Sequence, residues 1–298
     1  MKTRNKLMML VLLPITGFML SECKKTTDTM LSNQEIIKIS TSATLGSYLT
    51  DKDGNTLYIF ANDAGGANNC TGGCVAAWPI YFVSGLTQAK LGTGLLIADF
   101  DSITSANGKQ LTYKGWPLYY YAPGGVREAA GMTSGENVFG VWFVAKPDYT
   151  IMLANMQLHG INGKDYMVDA SNVYTEAVGK SVYFTDGMGR TLYVFAIDSA
   201  NINKYTNTDA VHNASWPIYE TDIAVVPSAL DKTLFGSITV FGKKQLTYKG
   251  WPIYQFAADV DATGKYRGSN KGVSIGASAT TQTKWPVLFK GMPAARTK

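Results

Sequence analysis

Two cysteines four residues apart are the group in this 298-residue chain with the clearest capacity for chemistry. Cys70-Thr71-Gly72-Gly73-Cys74 could close a small disulfide loop, because the two glycines supply the backbone freedom a tight ring needs. The pair could also bind a soft metal such as Cu(I) through two thiolates, with a histidine or methionine completing the site, or take part in redox exchange. Only two histidines exist, His159 and His212. Asp63, Asp198 and Asp259 each follow a tyrosine by five residues. Their expected role is an Asx-type turn that accepts backbone N–H bonds, and the alternative is a ring of metal-binding carboxylates. Trp78, Trp116, Trp216 and Trp251 each precede a proline. They could form stacking platforms for sugars or heterocycles, or fill the core of a small β unit, and the core is the expectation for most of them. There is no H-E-x-x-H, no G-x-S-x-G and no phosphate-cradling loop, since Gly65-Gly66 and Gly124-Gly125 are lone pairs in turns. No catalytic residue is assigned and no cofactor is expected, copper at the cysteines being the alternative.

The elements that must hold these residues come in duplicate. Tyr48–Asp63 reads YLTDKDGNTLYIFAND, and Tyr183–Asp198 reads YFTDGMGRTLYVFAID. QLTYKGWP stands at Gln110–Pro117 and again at Gln245–Pro252, and WPIY at Trp78–Tyr81 and Trp216–Tyr219. Three landmarks recurring in one order imply a tandem duplication of a unit of roughly 100 residues. After the first twenty-odd residues no stretch keeps a helical period. Short runs of Tyr, Phe, Val, Ile and Thr bounded by Gly, Asp and Asn predict antiparallel strands instead. Asp51–Asn55 and Asp186–Gly189 are the expected hairpin turns. A weaker echo lies within each unit, where Leu57-Tyr58-Ile59-Phe60 resembles Leu118–Tyr121, and Leu192–Phe195 resembles Ile253–Phe256. The second of these four has Gly124 in place of the aspartate. Tyr58 and Phe60 should share one face of a strand with Ile59 on the other, which predicts a central strand with two apolar faces.

The expected fold is therefore all-β, two tandem repeats packed into one body. The expected divisions are a signal peptide over 1–23, a flexible tether over 24–44, β repeat 1 over 45–148, a packed connector over 149–179 and β repeat 2 over 180–292. On the residues quoted, the chain resembles the bacterial secreted-repeat lipoproteins, whose motif is tyrosine, any residue, aromatic, two residues, aspartate. The motif stands at Tyr58, Phe60, Asp63, at Tyr193, Phe195, Asp198, and at Tyr254, Phe256, Asp259. The family's cysteine pair followed by Trp-Pro is matched by Cys70, Cys74, Trp78 and Pro79. The resemblance runs from Leu45 to about Lys290 and implies exported or lipid-anchored repeats of unknown function. Counting back from Trp216, Thr208 and His212 stand where the second unit would have its cysteines. Cysteine chemistry can then occur once per chain, and a metal site would draw on Cys70, Cys74 and His212.

Lys2, Arg4 and Lys6 precede the apolar run Leu7–Leu20, which is too short to span a bilayer comfortably. The run ends at Leu20-Ser21-Glu22-Cys23, which resembles the lipobox of bacterial lipoproteins with Glu22 in place of the usual small residue. That resemblance implies lipidation of Cys23, which leaves Cys70 and Cys74 as an even pair in an oxidising compartment. Losing Lys2, Arg4, Lys6 and Glu22 lowers the formal charge from +5 to +3, too slight a bias to argue for nucleic acid. The reading of the sequence is a lipoprotein of the bacterial envelope, at the outer membrane or cell surface. Its partners would be the bilayer, through an acyl anchor, and an unknown extracellular or periplasmic ligand. It would serve as a non-enzymatic binding or structural module; the alternatives are an exported redox or copper-handling protein and a carbohydrate-binding module using exposed tryptophans.

Overall fold

Hairpins with glycine-bearing turns dominate the chain, and their strands are short. The structure is a computed structural model describing residues 34–261, 263–276 and 283–297. The leader, Cys23 and the first part of the expected tether lie outside the described residues. In chain order the first unit contains β1 (Ile37–Ser42), β2 (Gly46–Asp51), β3 (Tyr58–Phe60), a helical turn α1 (Cys74–Ala77), β4 (Phe100–Ser105), β5 (Gly108–Tyr113), β6 (Trp116–Pro117) and β7 (Trp142–Val144). The second contains β8 (Met152–His159), β9 (Asp165–Val168), β10 (Tyr174–Glu176), β11 (Lys180–Thr185), β12 (Tyr193–Val194), α2 (Ala210–Ser215), β13 (Phe235–Val240), β14 (Lys243–Tyr248) and β15 (Trp251–Tyr254). All named strand pairs are antiparallel.

The octapeptide repeats because it builds the same hairpin twice. Tyr113 pairs with Trp116 across Lys114-Gly115, and Tyr248 with Trp251 across Lys249-Gly250. Both residues of each turn have positive φ, 48° and 77° in one and 48° and 82° in the other, the type I′ geometry that matches strand twist. Gln110 and Gln245 are fully buried. Their Nε2 atoms donate to Leu118 O and Ile253 O at 2.9 Å, closing the inner end of each hairpin.

Each unit is in turn two interlocked halves. Tyr58 and Tyr119 face each other and exchange backbone bonds of 2.8 and 2.9 Å, and Tyr193 faces Tyr254 in the same way. The tryptophan strand that ends one half pairs with the tyrosine strand of the other. Ile80 bridges to Tyr119, while β7 pairs with β3; in the second unit Ile218 bridges to Tyr254 and Val287 to Tyr193. In each half, the hairpin and the imported strand close a ring of three backbone bonds, as in Leu57 N to Leu49 O, Leu49 N to Ala145 O and Ala145 N to Leu57 O. A half therefore lacks one of its own core strands until its partner supplies it.

Two expected boundaries move. Residues 37–42 belong to β1, paired with β2 along its length, and Ile37 has no exposed surface. A tether reaching residue 44 is thus too long, because the apolar positions in EIIKIS give β1 a buried end. The expected connector contains the first strand of the second unit, since β8 pairs with β11 as β1 pairs with β2. The β9–β10 ribbon is an extension inserted into that β8–β11 hairpin.

Candidate functional site

The motif residues converge inside each unit. As expected, Tyr58 and Phe60 lie on one side of β3 and Ile59 on the other, and all three are buried. Each aspartate caps the loop after its strand: Asp63 accepts from Asn69 N at 2.7 Å and Asp198 from Lys204 N at 2.7 Å. Asp259 receives the Gly272 N–H at 3.4 Å. The sequence does not announce the second bond that each makes. Tyr119 OH donates to Asp63 at 2.5 Å, Tyr254 OH to Asp198 at 2.8 Å, and Tyr193 OH to Asp259 at 2.5 Å. The tyrosine of one half is thus held by the aspartate of the other. Where Gly124 interrupts the pattern, Glu128 takes the missing role and accepts from Tyr58 OH at 2.5 Å.

Burial pushes these carboxyls up despite the bonds that favour their ionised form: Asp63 and Asp198 to about 6 and Asp259 to about 7. Tyr119, Tyr193 and Tyr254 are likewise raised above their ordinary range, by burial first and by the facing carboxylate second. Asp63, Asp259 and the three tyrosines have no exposed surface. A proton shared in such a pair braces two halves and does not meet a substrate. The carboxylates sit on separate tyrosines, and among the described residues no group of three His, Cys, Asp or Glu is placed to hold a metal ion.

The tryptophans form the second half of this arrangement. Trp78 and Trp142 stack at 3.7 Å with their planes 2° apart. Phe60 lies on the outer face of Trp142 and Tyr121 against Trp78, giving a column of four rings. The second unit repeats the column as Phe195, Trp285, Trp216 and Phe256, the tryptophans 3.8 Å apart. Each aromatic contact of this kind adds about 0.5–1.5 kcal/mol beyond area burial. Trp78 and Trp216 are therefore core, as is Trp116, all at most 4% exposed. They are not open platforms. Trp251 is half-buried and donates its indole N–H to Pro293 O at 2.8 Å, beside a shallow cleft.

Cys70 and Cys74 are joined in a disulfide, with Cα atoms 5.4 Å apart. Counting back from Trp216 misaligns the second unit, because the loop there carries three extra residues. Tyr205, seven residues after Asp198 as Cys70 is seven after Asp63, is the counterpart of Cys70; Thr208 is not. Tyr205 packs on His212, the counterpart of Cys74, with ring centroids 4.2 Å apart. Tyr205 OH donates to His212 O at 3.1 Å. A stacked pair thus closes the loop that a covalent bond closes in the first unit. His212 belongs to that pair and not to the cysteines, and exposed His159 lies against Asp165 at 2.6 Å.

Residues 40–81 and 101–146 match the model of a family described as a secreted repeat of unknown function. The two segments are the two halves of the first unit, so the echo within a unit is the family's repeat. No curated protein and no solved structure matches the chain. Among the described residues, no helix is long and apolar enough to cross a membrane.

Proposed function

From a first unit made of two copies of this secreted repeat, we propose that the protein is an envelope lipoprotein, a rigid duplicated β body held at a membrane by a lipidated Cys23. There it acts as a non-enzymatic binding or structural module. One observation carries the reading: the motif tyrosines, aromatics and aspartates are directed inward and bond half to half. A motif used up in this way specifies a scaffold, and its surface is left for recognition. The secreted-repeat family supports an address outside the cytoplasm. The anchor follows from the apolar run ending at Cys23 and the polar residues after it, since an acyl chain is what would hold such a body at a bilayer. The test is detergent-phase partitioning of wild type and Cys23→Ala. Wild type should enter the detergent phase and the variant the aqueous phase; wild type found in the aqueous phase would remove the anchor.

A further inference from the structure

The two units share a core but differ at one corner, where a hairpin turn meets the loop that precedes the tryptophan strand. In the first unit the corner is closed. Asn107, in the β4–β5 turn, donates from Nδ2 to Cys70 O at 2.9 Å and holds the turn on the disulfide loop. In the second unit Phe241, Gly242 and Lys243 occupy the places of Ala106, Asn107 and Gly108, and Glu220 the place of Phe82. The bond to the loop is lost with Asn107, and the loop itself is longer. A groove of about 560 Å³ results, lined by Phe241, Lys243 and Glu220 together. Phe241, Lys243 and Glu220, which differ between the copies, meet there with Ala214, Pro217 and Ile218, whose counterparts in the first unit are the same residue types.

The groove has two kinds of wall. Ala210 and Ala214 of α2, with Pro217 and Ile218, give it an apolar floor. Phe241 stands beside them 64% exposed, with φ at 46°, a left-handed conformation that is costly for an aromatic residue. The two-residue turn between β13 and β14 imposes this φ, as at Lys114 and Lys249, and leaves the ring exposed at the groove. Lys243 Nζ lies 2.7 Å from Glu220 Oε2, so the charges cancel. Thr206, Thr208 and Asn207 complete the rim. Asn207 accepts the Asp209 N–H through Oδ1, and its NH2 has no acceptor among the described residues. Such a groove suits an uncharged ligand with one apolar face and a polar edge.

We propose that this groove binds a neutral glycan, with the C–H face of one sugar ring on Phe241 and its hydroxyl or acetamido groups toward Asn207, Thr208 and the Glu220–Lys243 pair. The size falls within the roughly 300–1,000 Å³ of small-ligand sites. The inference rests on the binding-module reading and gives it a place and a ligand class.

The test uses the full chain in detergent, with triacetylchitotriose, cellotriose and an uncharged hydrophobic pentapeptide as probes, read by calorimetric titration and saturation-transfer NMR. At least one sugar should bind saturably at millimolar concentration, with transfer concentrated on one face of a ring. Phe241→Ala should weaken that binding roughly tenfold, the share a single aromatic contact can carry, and Ala214→Trp, which fills the floor, should abolish it. Phe139→Ala should leave it unchanged, since Phe139 is equally strained and 90% exposed but belongs to the first unit. Absence of saturable sugar binding, binding indifferent to both groove variants, or a preference for the peptide would overturn the proposal. Partitioning the same wild-type preparation separates the two readings, because detergent-phase protein that ignores the sugars would leave the anchored module standing without a glycan site.

Discussion

A carboxyl with no exposed surface must be held by hydrogen bonds or keep its own proton, and Asp259 does both. Folded, it titrates near 7, against about 3.9 for an unfolded aspartate. Between those values the native state carries a proton that the unfolded state has released. The stability tied to that proton is complete below about pH 4 and lost as the pH rises through about 7. Asp63 and Asp198, at about 6, add to the same fall over its lower part. Thermal melts should therefore show a midpoint that drops between about pH 4 and pH 7, and Asp259→Asn should flatten the upper part of the drop. A midpoint that rises over this window would contradict the assignment. The tyrosines and aspartates were legible as a motif, and the turn role of the aspartates followed from their position after a strand. Their reciprocity was not, because the bonds join residues 56 to 70 apart and no local period encodes such a pairing. For the same reason Glu128 had no signal at all.

At the scale of elements, one position in the fold is closed in two ways. The five-residue ring of Cys70–Cys74 removes little loop entropy, about 2 kcal/mol, and the stacked Tyr205–His212 pair does the corresponding work without a covalent bond. The double variant Cys70→Ala, Cys74→Ala should fold, with a loss of about 2 kcal/mol in denaturant titrations. Alanine suits the test because Cys70 is 1% exposed and a serine hydroxyl there would be buried without an assigned partner. A variant that fails to fold would mean that the loop nucleates the unit. Strand class, the duplication and the hairpin turns could be read from composition and repeated words. The starts of both units could not, since β1 and β8 lack a repeated word of their own and acquire their identity only by pairing with β2 and β11. The counterpart of Cys70 was hidden by an insertion, and counting forward from the aspartate would have found it.

The two units behave as one molecule because their core is continuous and a half-buried cation bolts the seam. Buried residues from Ile37 to Met292 form a single apolar cluster that runs through both units. Across the seam, Trp116 donates its indole N–H to Gly187 O at 2.9 Å. From the second unit, Arg267 places its guanidinium 4.9 Å over the Trp116 ring and donates to Ala64 O and Lys114 O of the first. Glycine suits position 115 because its φ is 77° and because a Cβ there would meet the Arg267 side chain at 2.5 Å and push the guanidinium from its place. Burial lowers Arg267 to about 10, so it remains charged at neutral pH and its loss leaves two carbonyls and an indole face without their partner. Arg267→Ala should therefore destabilise the protein by about 2–4 kcal/mol, and Arg267→Lys should recover only part of this because an ammonium lacks the planar fork. Since the apolar cluster survives the substitution, calorimetry should still show one transition, moved to lower temperature, with equal calorimetric and van't Hoff enthalpies. Two separate transitions in the wild type would mean that the units fold independently and that the shared core is only contact between neighbours.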